Sequence, residues 1–267
     1  MNTAVVTGAA RGMGRETARR LAARGYQVLV TDLNEAGAQE TADLIGGDAW
    51  AMAQDVRDPE SHRTVAKAAA EKGPLKVWVN NAGILKTEKV WSHSDDDVRL
   101  IVEVNLLATI WGARAALEAM RTDPGGAHII NMASMASFGP VPGLGVYAAT
   151  KHGVLGLTES LQGDLTLAKL PIRVHAVCPD LVDTGMMREH ADNPEYALGF
   201  SGTRIYTPEE ISDEIVKLLD SDKIVLSIPR NRMVVARMAG LFPRTGLRLA
   251  QAFLSVGQRK QNKFNSP

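Results

Sequence analysis

Tyr147 and Lys151 stand four positions apart in the run Tyr147-Ala148-Ala149-Thr150-Lys151. On a helix, positions i and i+4 are surface neighbours, so the phenol and the ammonium would meet. A free phenol ionises at about pH 10 and is a poor base at neutrality. An adjacent ammonium favours the phenolate, so Lys151 is expected to lower the pKa of Tyr147. Such a pair can pass protons near neutral pH, as general acid–base catalysis requires. Taken alone, the spacing equally describes a surface tyrosine beside a solvated lysine. Chemistry needs a cofactor and a substrate site from the rest of the chain.

The start of the chain points to the cofactor. Ala4-Val5-Val6-Thr7 is a short apolar run that reads as a buried strand, and it leads into Gly8-Ala9-Ala10-Arg11-Gly12-Met13-Gly14. A helical stretch follows from Arg15 to Ala23, then a second strand from Gln27 to Thr31 that closes on Asp32. Strand, glycine turn, helix, strand and acid form the outline of a dinucleotide-binding βαβ unit. Glycines let the backbone approach a pyrophosphate, and a helix N-terminus offers it free N–H groups and a positive dipole. A glycine-rich turn without a ligand is the bland alternative. Asp32 can bind the ribose hydroxyls of NAD and would repel the extra phosphate of NADP. Arg11 pulls the other way, because a guanidinium in the glycine loop can meet that phosphate. The acid penalises NADP directly, so NAD is the expected cofactor.

The elements that must position these groups continue in alternation. Further strands are expected over 49–54, 76–79, 127–132, 172–177 and 223–228. Helices are expected over 35–44, 59–71, 95–120, from Tyr147 to about Leu167, and over 207–219. Residues 180–206 show no clear periodicity. Seven strands separated mostly by helices predict an α/β fold over residues 1–228. It would be a single-domain Rossmann-type, doubly wound parallel sheet with helices on both faces. A chain of 267 residues is near the upper size for one such domain.

Thirty basic and thirty acidic residues cancel, so overall charge gives no pointer to nucleic acid. Cys178 is the single cysteine, which rules out an internal disulfide and a cysteine metal cage. It reads as a buried structural thiol, and no metal site is expected. The N-terminus lacks the pattern of a signal peptide, and no run of about 18 uninterrupted apolar residues occurs. A cytoplasmic protein is expected. Residues 229–267 differ from the rest, with eight basic residues and no acid. Apolar residues interleave the arginines, and Pro243 divides two helical stretches. This basic amphipathic extension reads as docking on a neighbouring subunit or covering the substrate mouth. Contact with a membrane surface is the less favoured reading.

From Thr3 to Ile228 the chain resembles the short-chain dehydrogenase/reductase family. Thr7-Gly8-Ala9-Ala10-Arg11-Gly12-Met13-Gly14 matches its T-G-x-x-x-G-x-G motif. Asp55-Val56 matches the pair that meets the adenine ring, and Asn80-Asn81-Ala82-Gly83 the segment that steadies the sheet. Asn105, Ser134, Tyr147 and Lys151 match the catalytic tetrad, with Ser134 thirteen positions before Tyr147. The resemblance implies that Tyr147 exchanges a proton with an alcohol or carbonyl oxygen that Ser134 also bonds. It implies that Lys151 holds the nicotinamide ribose, and that Asn105 holds a water linking Lys151 to solvent. Met13, Leu33, Asn81, Ala82, Gly83, Pro179, Val182 and Thr184 join the implied cofactor contacts. One motif departs from the pattern. Asp180 stands where the family carries glycine after Pro179, beside the expected nicotinamide position.

The implied substrate contacts are Met135, Phe138, Val141, Leu144, Met186 and Met187, an apolar and adaptable lining. Several of them could instead face the core. Arg188, Glu189 and His190 read as a mobile charged lid. The expected function is NAD(H)-dependent interconversion of a lipophilic secondary alcohol and its ketone. An NADP(H)-dependent carbonyl reductase and a non-catalytic dinucleotide sensor are the alternatives, and a non-redox enzyme is disfavoured by the intact tetrad. Family members assemble through the helices that here carry Asn105 and Tyr147, which implies a homodimer or homotetramer.

Overall fold

The computed structural model describes residues 1–266. Its seven strands are β1 (Thr3–Thr7), β2 (Gln27–Asp32), β3 (Trp50–Ala53), β4 (Leu75–Asn80), β5 (Ala127–Met132), β6 (Ile172–Pro179) and β7 (Val225–Ile228). They form one parallel sheet in the order β3-β2-β1-β4-β5-β6-β7, the doubly wound arrangement expected. β1 pairs with both β2 and β4, so the chain winds one way from β1 and then the other. The crevice beyond the carboxyl ends of β1 and β4 is the switch point where such sheets bind ligands.

The helices are α1 (Gly12–Ala23), α2 (Glu35–Ile45), α3 (Pro59–Lys72), α4 (Asp95–Val102), α5 (Ala108–Met120), α6 (Gly145–Leu167), α7 (Gly185–Arg188), α8 (Pro208–Lys217), α9 (Arg230–Leu241) and α10 (Pro243–Asn265). Two layers of core explain the central strands, which are apolar on both faces. On one face, Leu21, Ala38 and Ile215 of α1, α2 and α8 pack on Val6, Val30 and Val79. On the other, Val65, Ala116 and Leu165 of α3, α5 and α6 pack on Val5, Leu29 and Trp78. Each such aliphatic side chain contributes about 1.5–3 kcal/mol on burial. Asn34, Asp58, Ser94 and Thr207 cap their helices, and Thr207 with Glu210 closes a capping box.

The structure differs from the sequence reading in places. The 95–120 pattern is one continuous helical run, Asp95–Met120, but it is not α-helical throughout. A π-helical turn, Glu103–Leu107, separates α4 from α5 and contains Asn105. This run is apolar and long enough to cross a membrane by composition, but half of its most apolar window is buried, with α5 against the sheet. The region without periodicity holds α7 and a 3-10 segment, Pro194–Ser201, both too short to show a period. α10 lies along that segment. Gln261 Nε2 donates to the carbonyls of Ala191 and Asn193, each at 2.8 Å, and Lys260 donates to the Gly202 carbonyl.

Two helical glycines give a test of how tightly helix and sheet meet. A Cβ on Gly112 of α5 would overlap Asn80 Oδ1 and lie 2.9 Å from Trp78 Nε1, whereas one on Gly163 of α6 would meet nothing within 4 Å. Gly112→Ala is therefore expected to lower stability by about 1–3 kcal/mol through overpacking. Gly163→Ala is expected to raise it by about 0.4–1 kcal/mol through the unfolded chain. Urea melts of both variants check this, and equal midpoints would contradict it.

Candidate active site

The switch-point crevice is held together by side chain to backbone bonds. Thr7 Oγ1 accepts from the N–H groups of Asn81 and Ala82, both at 3.1 Å. Asn81 Nδ2 donates to the carbonyls of Thr7 and Gly8, both at 2.9 Å. Gly8 sits at φ +62°, and a Cβ there would lie 2.7 Å from Ala82 Cα, so only glycine lets the β1 and β4 loops touch. Beneath them, Asn80 accepts from Trp78 Nε1 at 2.7 Å and donates to Asn131 at 2.8 Å, a buried chain that continues to Thr158.

A dinucleotide fits this crevice. Gly12 also has positive φ, and no side chain caps α1, so its first-turn N–H groups remain for an anion. Asp32 ends β2 with Oδ2 accepting from Ala10 N–H at 3.0 Å and Oδ1 from Asn34 N–H at 2.9 Å. Leu33 beside it is 71% exposed and can meet a ligand. Arg11 is paired with Glu189 at 3.0 Å, so its charge is partly met within the protein. The Arg57 guanidinium, 2.6 Å from Asp55, holds that carboxyl below the usual range. Val56 turns its carbonyl to His62 Nε2 at 2.8 Å. Met13, Asn81, Gly83, Pro179, Val182 and Thr184 line the same cavity as Tyr147 and Lys151.

The protonation of the pair departs from expectation. Lys151 is buried, its Nζ donating to the Met132 carbonyl at 2.7 Å and lying 5.6 Å from the centroid of the Tyr147 ring. Burial lowers its pKa to about 8. Tyr147 lines the cavity and is half-buried, and desolvation raises its phenol above the ordinary value. The nearby Ser134 hydroxyl opposes that rise without offsetting it. The expected lowering of the Tyr147 pKa by Lys151 is therefore corrected. Desolvation acts on both groups and favours each neutral form.

The remaining tetrad members are held firmly. Asn105 is fully buried in the π-helical turn. Its Oδ1 accepts from Ile84 N–H at 2.8 Å and its Nδ2 donates to Ile84 C=O at 2.9 Å. It thus clamps the loop after β4. At Gly83 in that loop, a Cβ would lie 3.8 Å from Lys151 Nζ. Ser134 caps the turn Met135–Ser137 by accepting from Ala136 N–H. Ser137 was not singled out from the sequence. Its hydroxyl donates to the Lys151 carbonyl at 2.8 Å and ties this turn to α6.

The cavity has a volume of about 410 Å³. Met135, Val141, Leu144, Met186 and Met187 line it as expected. Phe138 does not. It is buried with Val154 and Cys178, and the Arg237 guanidinium stacks 5.0 Å from its ring. The Cys178 thiol is buried, as read from the sequence, and burial pushes its pKa up to about 12. Arg188, Glu189 and His190, read as a charged lid, each have a partner. Arg188 pairs with Asp183 at 2.7 Å, Glu189 with Arg11, and His190 Nε2 lies 2.9 Å from the Leu85 carbonyl.

The far wall comes from residues not placed among the substrate contacts by the sequence. Tyr196, Arg232, Val235, Leu249 and Phe253 all face the cavity. Asp180 has its answer here. It is buried, and its Oδ2 lies 3.0 Å from Arg232 Nη1, a close ionic contact without hydrogen-bond alignment. Arg232 also donates to Ser201 Oγ at 2.7 Å. Burial raises the Asp180 pKa and Arg232 opposes the rise.

Residues 2–195 match the family described as short chain dehydrogenase. The chain is 34% identical over 231 residues to a 1-deoxy-11-beta-hydroxypentalenate dehydrogenase of Streptomyces avermitilis, covering 84% of this chain and 83% of that protein. It is 28% identical over 257 residues to an estradiol 17-beta-dehydrogenase 11 of Mus musculus, covering 94% and 83% respectively. A crystal structure of a short chain dehydrogenase/reductase from Burkholderia phymatum in complex with NAD superposes with a TM-score of 0.80 at 25% identity, over 88% of this chain and 92% of that one. With fold, crevice and relatives in agreement, the chain belongs to the short-chain dehydrogenase/reductase family of oxidoreductases.

Proposed function

We propose that the protein interconverts a lipophilic secondary alcohol and its ketone with NAD(H). The observation that carries this reading is that Tyr147, Ser134 and Lys151 open on one cavity, which is continuous with the dinucleotide crevice and otherwise mostly apolar. A bound nicotinamide would supply or accept the hydride. The chain's own part is to hold the substrate oxygen and move its proton. Ser134 bonds that oxygen. Tyr147 donates to it in ketone reduction and takes the proton back in alcohol oxidation. A phenol kept protonated by burial is ready to donate at neutral pH. Lys151 holds the ribose, and Asn105 keeps the Gly83–Ile84 loop beside Lys151 for proton exchange with solvent.

Asp32 at the end of β2 supports NAD, and the Glu189 partner of Arg11 weakens the case for NADP. The names of two relatives, one acting on a hydroxypentalenate and one on estradiol, fit a bulky lipophilic substrate. Val235, Leu249 and Phe253 support the reading of residues 229–267 as a cover over the substrate mouth. The complete set Asn105, Ser134, Tyr147 and Lys151 favours turnover over a sensor.

Three outcomes test this. Tyr147→Phe should keep NADH affinity and lose about 10²–10⁴-fold in turnover on a ketone panel; activity within a few fold of wild type contradicts the role. NADH should be preferred over NADPH in kcat/KM, and Asp32→Ala should narrow the gap. A wild-type preference for NADPH overturns the cofactor assignment. Lys151 carries its charge below its pKa of about 8. Ketone reduction should therefore fall as pH rises through that value, measured at saturating NADH. A profile flat well beyond it would remove the charged lysine from the mechanism.

A further inference from the structure

We infer that the outer face of α9 and α10 docks on an anionic lipid surface. Among the described residues, ten of the seventeen exposed large apolar side chains lie in residues 234–264. On α9, Val234, Met238 and Leu241 recur at helical spacing on one exposed stripe, which Phe242 extends. On α10, Leu249, Phe253 and Val256 form a second stripe. Beside it, away from the buried positions Gly246, Ala250, Gly257 and Gln261, stand the exposed Arg244, Arg248 and Arg259. A helix with an apolar stripe flanked by cations suits the boundary between headgroups and acyl chains.

Charge selects the occupant. Residues 229–267 hold eight basic side chains and no acid. Arg232 and Arg237 are engaged by Asp180 and Glu159, and Lys260 by a carbonyl. Among the described residues, no carboxylate pairs with Arg230, Arg244, Arg248, Arg259 or Lys263. A two-fold interface between copies would set this face against itself, cation against cation. An anionic bilayer meets both properties at once, since it takes apolar side chains and attracts each cation near its surface.

The position of the cavity gives the docking a use. Val235, Leu249 and Phe253 line the cavity yet remain 46%, 41% and 41% exposed, so its mouth opens within this same face. A lipophilic substrate could pass from the bilayer to Tyr147 without crossing water. That use rests on the substrate class proposed above. Docking does not, and its test needs no turnover.

The full-length chain is to be sedimented with vesicles of phosphatidylcholine, alone or with phosphatidylserine. Sedimentation should require phosphatidylserine and weaken with added salt. Arg244→Ala/Arg248→Ala/Arg259→Ala should lower partitioning on the order of 100-fold, at about fivefold per cation. Leu241→Ser/Phe242→Ser should also weaken it. None of these five residues lines the cavity, so thermal melts and NADH binding should match wild type and separate loss of docking from loss of fold. Failure of the wild-type chain to sediment with phosphatidylserine vesicles overturns the inference. So does equal sedimentation of folded wild-type and arginine-triple proteins, or indifference to lipid charge. If the triple variant instead changes the mass in solution while neither protein binds vesicles, the face joins copies of the chain and lipid docking is wrong.

Discussion

The candidate active centre depends on one buried cation. Lys151 lies beneath Tyr147 with its ammonium hydrogen-bonded to the carbonyl of Met132, at the end of a central strand. Taking an ammonium out of water disfavours its charge. The protein offsets this only in part, with a carbonyl dipole rather than a carboxylate. The outcome is a lysine whose pKa falls to about 8 and a phenol whose pKa rises. Both groups are held nearer to their uncharged forms than exposed counterparts would be. The surrounding elements hold this arrangement in place, with Ser137 fixing the backbone of Lys151 and Asn105 fixing the loop beside it.

The C-terminal helices belong to this centre rather than trailing from it. Asp180 replaces a glycine of the family pattern at the end of β6, and an unpaired carboxylate buried there would be costly. Arg232 on α9 meets it and reaches on to Ser201, joining strand end, 3-10 segment and C-terminal helix. α10 then grips the other side of the 3-10 segment through Gln261 and Lys260. The departure at Asp180 and the arginine-rich tail are thus two parts of one contact. The wall of the cavity is completed by residues outside the βαβ scaffold.

Most of the scaffold was legible in the residue order because its signals are local. Continuous Val and Ile runs mark strands buried on both faces, and Gly8 to Gly14 mark a turn that needs positive φ. Features that depend on tertiary surroundings were not legible. The i, i+4 spacing correctly brings Lys151 to Tyr147, but it carries no information on solvent, so the direction of the phenol shift was misjudged. Phe138 sits in a loop with no periodicity to say which way it faces, and it turned to the core. The π-helical turn at Asn105 inserts one residue into an otherwise regular helical pattern. The partner of Asp180 lies far along the chain, where spacing gives no guide.

The central claim is that desolvation outweighs the neighbouring ammonium in setting the protonation of Tyr147. Ultraviolet difference titration of tyrosinate, wild type against Tyr147→Phe in the folded pH range, isolates this one phenol among the four tyrosines. The structure predicts that it ionises above the free value of about pH 10. A phenolate already formed near neutrality would contradict the account and restore the lysine as the group that tunes it.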